Sequence, residues 1–186
     1  HLARVRNPLE KEGGPKTVPG YGLLLAVRTT LAKGMAQLLY WRVWSTREPG
    51  FLSQNRVEED FLRRVMPHVG RRAVVVLDRG LGRFALLGQL VERGIRLVAR
   101  LSIGRDFMVD EEGMVHLRLL AYRMPLPYQR MVYDPFAKKD KLSRYGYRRV
   151  RQPKIAGELT LVVQWLEGLA EPWLLLTKER VRGEVD

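Results

Sequence analysis

The residue best placed for chemistry is Asp78, which directly follows an apolar run over residues 73–77. Such a run is typical of a strand that is buried on both faces, and Asp78 would then lie at the carboxyl edge of its sheet. Ligands of open α/β sheets bind at that edge. The carboxylate could hold a metal ion or accept a proton there, or it could simply cap the next helix or begin a turn.

The elements around Asp78 form a strand-helix-strand unit over residues 73–101. Arg79-Gly80 predicts a turn, and the apolar stripe of Phe84, Leu87 and Val91 predicts a helix that Gly94 ends. Residues 95–101 form a second apolar strand. The two strands are therefore predicted to be parallel, with a right-handed crossover between them.

The segments before this unit predict simpler elements. Residues 1–20 are polar and rich in glycine and proline, which indicates a loop or an extended arm. Residues 21–30 and 35–45 predict an antiparallel hairpin, and the apolar spacing in residues 54–66 predicts a helix that Pro67 ends. The tryptophans of the hairpin are expected to pack in a core.

The segment over residues 102–178 is predicted to be rich in β-structure, because short apolar runs alternate with turns and show no helical period. We expect strands at residues 107–109, 114–122 and 129–133. Residues 158–166 and 173–177 are expected to pair as a hairpin around Gly168.

A basic stretch with two interleaved aromatic residues, Tyr145 and Tyr147, lies within this segment. Basic side chains bind phosphates and aromatic rings stack on bases, so the stretch predicts DNA contact, with a solvated basic loop as the alternative. Its basic members are Lys138, Lys139, Lys141, Arg144, Arg148, Arg149, Arg151 and Lys154.

The composition favours a nucleic-acid partner. The chain has 33 lysines and arginines against 20 acidic residues, a net charge of +13. No long apolar run or basic amphipathic helix indicates a membrane partner. The absence of cysteine excludes disulfides and thiol chemistry and, with no visible signal peptide, predicts a cytoplasmic protein. The three histidines match no metal-ligand spacing.

Three motifs together resemble the bacterial insertion-sequence DDE transposases of the IS-four type, over essentially the whole chain. The resemblance implies an α/β fold with a partial ribonuclease-H-like mixed sheet, flanking helices and a β-rich insertion subdomain. It implies a catalytic core at 1–101, the insertion at 102–178 and the start of a linker at 179–186. The motifs are Val76-Leu77-Asp78-Arg79-Gly80, Leu97-Val98-Ala99-Arg100 and Pro172-Trp173-Leu174-Leu175-Leu176-Thr177.

The resemblance also implies roles for single residues. Asp78 matches the second of three catalytic carboxylates, which hold two Mg²⁺ or Mn²⁺ ions in this family. Arg100 matches an arginine that approaches the DNA backbone, and Trp173 matches a tryptophan that stacks on a flipped base. The alternatives are a strand-end cation that reaches solvent for Arg100 and a half-buried strand tryptophan for Trp173.

The chain departs from the family pattern in its other carboxylates. The first catalytic Asp would lie on a strand before the hairpin, and the catalytic Glu belongs to a Tyr-x2-Arg-x3-Glu-x6-Lys motif. After Arg148 that offset falls on Gln152. We therefore expect an excerpt of a transposase that binds metal weakly and does not cleave DNA alone. Because the family's central first strand would precede it, we expect the chain either to fold marginally or to close the gap in its sheet by rearrangement.

The implied partners are double-stranded DNA, as transposon end and as target, and a second subunit by analogy with the family. Two alternatives remain open. The chain could be a non-catalytic nucleic-acid-binding module, which gives Asp78 no role, or part of a ribonuclease-H-like nuclease of another family, which would lack the β-rich insertion.

Overall fold

The computed structural model describes residues 3–6, 17–29, 36–70, 72–104, 107–110, 113–134 and 137–181. The fold is mixed α/β, with most of the described residues in strands and few in helices. The chain divides into two compact units, His1–Gly70 and Arg71–Asp186. Residues 182–186 of the expected linker and the turn at 32–34 of the expected hairpin lie outside the described residues.

The first unit contains two strand pairs and a helix. Strands β1 (Ala3–Arg6) and β2 (Thr17–Gly20) pair antiparallel, so the expectation of a loop or arm was wrong for these residues. Strands β3 (Gly22–Thr29) and β4 (Ala36–Trp44) confirm the hairpin, and helix α1 (Gln54–Val65) confirms the helix. A 3₁₀ turn, Met66–His68, follows α1.

In the fold that the resemblance implies, the hairpin would add two antiparallel strands to one side of the mixed sheet. That expectation was wrong, because β3 and β4 form a two-stranded sheet of their own. Helix α1 packs against it, with the rings of Tyr40 and Phe61 5.3 Å apart. The side chains that alternate with Tyr40 along the strands are exposed, including Trp41, so core packing was the wrong expectation for that tryptophan. The exposed apolar side chains here are Tyr21, Leu23, Leu25, Val27, Leu38, Leu39, Trp41 and Val43.

The second unit is built on one eight-stranded sheet, in which β9 pairs with β10 outside the linear order β5-β6-β12-β11-β10-β7-β8. No helix within the described ranges is long and apolar enough to cross a membrane. The strands are β5 (Val75–Leu77), β6 (Leu97–Leu101), β7 (Phe107–Asp110), β8 (Gly113–His116), β9 (Tyr128–Asp134), β10 (Lys139–Gln152), β11 (Ile155–Leu166) and β12 (Trp173–Thr177).

The strand-helix-strand unit is confirmed. Strands β5 and β6 are parallel, and helix α2 (Phe84–Glu92) connects them. The prediction that β5 is buried on both faces was wrong, because Val76 is 77% exposed whereas Leu77 is buried. Successive side chains of a strand point to opposite faces, and only the face of β5 that carries Leu77 is covered.

Helix α3 (Leu117–Arg123) corrects the expectation of a strand at residues 114–122. The short strand β8 ends at His116, whose Nδ1 accepts a hydrogen bond from the backbone N–H of Arg118 at 3.1 Å and begins the helix. Leu117, Leu120 and Ala121 are buried, at the spacing of one helix face. This short helical period was present in the sequence and was overlooked.

The two faces of the large sheet differ in what covers them. Because side chains alternate along a strand, each strand presents one set to each face. Helices α2 and α3 lie on the closed face, whose members are Leu97, Ala99, Leu101, Val150, Leu159, Leu161, Val163, Leu174 and Leu176, all buried. The opposite, open face carries Val76, Arg100, Tyr145, Tyr147, Val162, Gln164, Trp173 and Leu175.

At two glycines of the closed face, the backbones of neighbouring segments come into direct contact. A Cβ at Gly88 in α2 would lie 2.2 Å from the carbonyl oxygen of Lys154, and one at Gly146 in β10 would lie 2.0 Å from that of Pro125, just after α3. Only glycine permits either contact. The strands of 73–101 and 102–178 therefore share one core, in which β6 pairs with β12.

Candidate nucleic-acid interface

Asp78 lies at the carboxyl end of β5, as the sequence predicted. Its side chain is 82% exposed, and its Oδ1 is 3.7 Å from Nη1 of Arg100. The backbone carbonyl of Asp78 accepts a hydrogen bond from the N–H of Leu81 at 2.9 Å, within a 3₁₀ turn (Arg79–Leu81). The carboxylate makes no capping hydrogen bond to this turn, so local capping does not account for the acidic side chain.

Gly82 holds the turn after Asp78 against the neighbouring strand. A Cβ at this position would lie 2.5 Å from the carbonyl oxygen of Arg100. Glycine therefore lets the chain that leaves β5 pass directly over the end of β6. Asp78 and Arg100 lie side by side because β5 and β6 pair in parallel with Leu77 opposite Ala99, so that each is the next residue of its strand.

Arg100 and Trp173 are in contact across β6 and β12. The guanidinium carbon of Arg100 lies 4.5 Å from the ring centroid of Trp173, a cation–π distance. The tryptophan is 39% exposed and the arginine side chain 35%. The Thr177 hydroxyl fastens this strand pair by donating a hydrogen bond to the carbonyl oxygen of Leu97 at 2.7 Å.

Asp78, Arg100 and Trp173, the three residues that the resemblance singled out, thus form one cluster on the open face. Its groups are one carboxylate, one guanidinium and one partly exposed indole. Among the residues that the structure describes, no three Asp, Glu, His or Cys side chains come together as metal ligands. A single carboxylate beside an arginine does not fit a two-metal site by itself, so the cluster supports recognition of a phosphate and a base.

The basic stretch folds as the long strand β10, so a solvated loop was the wrong alternative. Alternation along the strand divides its side chains between the two sides of the sheet. Lys139, Lys141, Arg149 and Arg151 belong to the open face, and Arg144 and Arg148 to the other. Lys138 lies in the turn before β10, and Lys154 in the turn that leads to β11.

Two of these basic residues are engaged in ion pairs. Nζ of Lys141 is 2.6 Å from Oδ2 of Asp134, and Nη1 of Arg149 is 2.8 Å from Oε2 of Glu158. The Lys141–Asp134 pair is largely buried, whereas Arg149 is mostly exposed. Arg149 is therefore the better phosphate contact of the two.

A tyrosine cluster, formed by Tyr128, Tyr145 and Tyr147, adds an aromatic surface to the open face. The ring of Tyr128 stacks on that of Tyr145 at 5.4 Å and on that of Tyr147 at 5.7 Å. The guanidinium of Arg130 lies 5.8 Å from the ring centroid of Tyr145. Tyr145 and Tyr147 were candidates from the sequence, whereas Tyr128 lies one residue before the strand predicted at 129–133. Arg130 lies inside that predicted strand, and only the pairing of β9 with β10 brings it to Tyr145.

The cluster around Trp173 and the tyrosine cluster are joined by a row of paired residues across four strands. Trp173 of β12 is paired with Gln164 of β11, Gln164 with Tyr145 of β10, and Tyr145 with Tyr128 of β9. Since neighbouring strands are about 4.8 Å apart, Trp173 and Tyr145 are roughly 10 Å apart along this row. No pattern within one segment of the sequence reveals this row, because it depends on pairing register.

An ion pair fastens the segment that follows β12. The guanidinium of Arg96 donates two hydrogen bonds to the carboxylate of Glu179, at 3.0 and 2.5 Å. These bonds hold the pKa of Glu179 below its usual value and raise that of Arg96. Both side chains lie near the surface, so water and salt screen the pair.

In comparisons with known proteins, the chain matches no protein-family model and no curated protein sequence.

Proposed function

We propose that this chain is part of a cut-and-paste DNA transposase of the IS-four type, with a ribonuclease-H-like catalytic core. The observation that supports the proposal best is the contact of Asp78, Arg100 and Trp173. These residues come from three separate motifs, and 95 positions separate Asp78 from Trp173. They meet at the carboxyl ends of the parallel strands β5 and β6, where α/β sheets bind ligands.

Each member of the cluster has a distinct task in this proposal. Arg100 binds a backbone phosphate beside the scissile bond, where a guanidinium forms charge-assisted hydrogen bonds to two phosphate oxygens. Trp173 stacks on a base that leaves the duplex, and the energy of stacking offsets part of the cost of unpairing. Asp78 contributes one metal-binding carboxylate, and its exposure leaves the oxygens accessible.

Magnesium or manganese would supply the activation of water and the stabilisation of the leaving oxygen in such an enzyme. Asp78 alone does not make that site, and in our proposal the other carboxylates come from elsewhere in the intact enzyme. The 186-residue chain is therefore expected to bind duplex DNA without cleaving it. Its net charge of +13 favours binding that weakens steeply as salt is added.

A direct test uses a duplex with 2-aminopurine at the base next to its end. Binding by the chain should raise the fluorescence of this base, because it leaves the stack. Trp173→Leu should abolish the rise and leave the affinity for duplex within a few fold, whereas Trp41→Leu, in the hairpin, should change neither. A fluorescence rise that persists in the Trp173 variant would contradict the role given to this tryptophan.

The catalytic role of Asp78 is tested in the complete reading frame that contains this chain. We expect that frame to encode an aspartate after an upstream apolar strand and a downstream Tyr, Arg, Glu and Lys series. Asp78→Asn should abolish metal-dependent cleavage of a transposon end while DNA binding is retained. Metal-dependent cleavage by the 186-residue chain alone, lost in Asp78→Asn, would refute the claim that other carboxylates are required.

A second candidate is a non-catalytic nucleic-acid-binding module. The tyrosine cluster and the basic side chains of β10 favour it, since they need no metal and no Asp78. The two candidates differ in one measurement. If Asp78→Asn in the complete protein leaves every activity on DNA unchanged, the binding module is the better account.

A further inference from the structure

The open face carries aromatic groups in an arrangement suited to unpaired bases. Trp173 begins the row across the strands, Gln164 lies at its middle, and Tyr145 and Tyr128 lie at its other end. Tyr147 joins the last two by stacking on Tyr128 with the ring planes 6° apart. All three tyrosines keep part of their surface accessible, so the aromatic surface is not a closed core.

Cations accompany the aromatic rings at both ends of the row. Arg100 lies over Trp173 at 4.5 Å, and Arg130 lies over Tyr145 at 5.8 Å. Because each guanidinium covers one face of its ring, a base would stack on the other face or on the guanidinium itself, with the donors near its sugar-phosphate backbone. The open face also carries Lys139, Arg149 and Arg151 on β10, so its charge suits a polyanion.

The middle of the row is polar. Gln164 donates a hydrogen bond from Nε2 to the hydroxyl of the fully buried Ser143 at 2.8 Å. This bond fixes the orientation of the amide, so that its oxygen has a defined position between Trp173 and Tyr145. A fixed amide of this kind can accept a hydrogen bond from the edge of a base that lies between two stacked neighbours.

We infer that the open face binds single-stranded nucleic acid along the row from Trp173 to Tyr128, with bases stacked on the tyrosine cluster. A duplex hides the faces of its bases inside the stack, whereas an unpaired strand presents them to aromatic side chains. The inference rests on the proposed function and deepens it. The strand that continues from the base at Trp173 is the ligand of the tyrosine cluster.

The test compares a labelled oligothymidine of about 12 nucleotides, a length within usual single-strand site sizes, with a duplex of the same length. Affinities are measured by fluorescence anisotropy on the 186-residue chain. The variant Tyr145→Leu/Tyr147→Leu should lower the affinity for oligothymidine by about 10-fold or more, since each stacked base contributes substantially. Its affinity for the duplex should change by less than about twofold, because phosphate contacts dominate there.

The matched control is Tyr133→Leu. Tyr133 lies on the same strand as Tyr128, is 60% exposed and is paired with Asp140, a position that faces away from the tyrosine cluster. This variant should bind oligothymidine as the wild type does. Tyr145→Phe/Tyr147→Phe should also retain wild-type affinity, because phenyl rings stack without the hydroxyl. Equal losses in the control and the leucine variant would overturn the inference.

A measurement on the wild-type chain keeps the inference testable if the leucine variant does not fold. Oligothymidine that contains 4-thiothymidine, cross-linked by light and mapped by peptide mass, should label Trp173 and at least one of the clustered tyrosines. Cross-links confined to residues outside the open face would overturn the inference.

The outcomes also separate this inference from the proposed function. Loss of oligothymidine binding in the leucine variant, with no flipped base on a duplex, would retain the single-strand site and remove the transposase role of Trp173. A flipped base at Trp173, with unchanged oligothymidine binding in the leucine variant, would retain the transposase proposal and remove the extended site.

Discussion

The two faces of the eight-stranded sheet share the same strands but differ in the burial and in the chemical type of their side chains. On the closed face, leucine and valine side chains are buried beneath α2 and α3, and glycines let backbones touch. On the open face, alternate residues of the same strands include arginine, glutamine, tyrosine and tryptophan, half-buried or exposed, beside aliphatic side chains such as Val162 and Leu175. The closed face holds the sheet together, and the open face offers side chains for recognition.

This difference shows how one strand can contribute both to the core and to the proposed interface. In β11, Leu161 and Val163 are fully buried, while Val162 and Gln164, which alternate with them, belong to the open face. The alternation of the strand lets stability and recognition change independently, one residue apart. Substitutions on the closed face should therefore change stability, and those on the open face should change binding.

Truncating a side chain should lower the free energy of unfolding more on the closed face than on the open face. Leu161→Ala should lower the free energy of unfolding by about 2–5 kcal/mol, since it removes a fully buried side chain and leaves a cavity. Val162→Ala, one residue away, should cost less than about 1.5 kcal/mol. Urea denaturation of both variants measures the contrast, and equal losses would show that the open face is also a packed core.

The close approach at Gly146 should tolerate no side chain. Gly146→Ala places a Cβ 2.0 Å from the carbonyl oxygen of Pro125, and backbone must move to relieve the clash. We expect a loss of about 1–3 kcal/mol, the usual cost of overpacking. Gly104→Ala is the control, because among the described residues its Cβ would meet the Ser102 hydroxyl alone, at an ordinary contact distance of 3.6 Å. A Gly146 variant as stable as this control would be inconsistent with the close approach.

At the edge of the open face, Asp78→Asn should leave stability unchanged within about 0.5 kcal/mol, because the side chain is mostly exposed and its ion pair is long. The affinity for duplex DNA should not fall, since the change removes a negative charge beside Arg100. Thermal unfolding and anisotropy measure the two quantities. A large drop in melting temperature would assign Asp78 a structural role.

The smallest effect is expected at the Arg96–Glu179 pair. The folded pKa of Glu179 is lowered by the hydrogen bonds from Arg96. The stability that this pair adds is therefore present above the usual glutamate pKa of about 4.3 and is lost as pH falls through the lower folded value. Glu179→Gln should destabilise slightly at neutral pH and have no effect at a pH well below that value.

The matched control for this pH dependence is Arg96→Gln, in which Glu179 has lost its partner. Adding Glu179→Gln to that background should change stability at neither pH. Denaturation curves at neutral and acidic pH for the single and double variants measure the coupling. A destabilisation by Glu179→Gln that is the same at both pH values would show that the carboxylate charge is not what stabilises the folded chain.

The sequence alone determined the local elements. Apolar runs and their breakers predicted the β3–β4 hairpin, α1, the β5–α2–β6 unit and the β11–β12 pair, because each depends on residues close in the chain. The same reasoning overlooked α3, whose seven residues span too few turns for a strong period. Composition determined the strongly basic charge that favours a nucleic-acid partner.

Only the tertiary structure decided which residues share a site. The sequence with its family resemblance named Asp78, Arg100 and Trp173 separately, and the pairing of β6 with β5 and with β12 brings them together. The row from Trp173 to Tyr128 follows from the register of three antiparallel pairings, which hydrogen bonds between distant segments fix. Local propensity carries no information about that register, because a shift of two residues would satisfy the same alternation and separate the row.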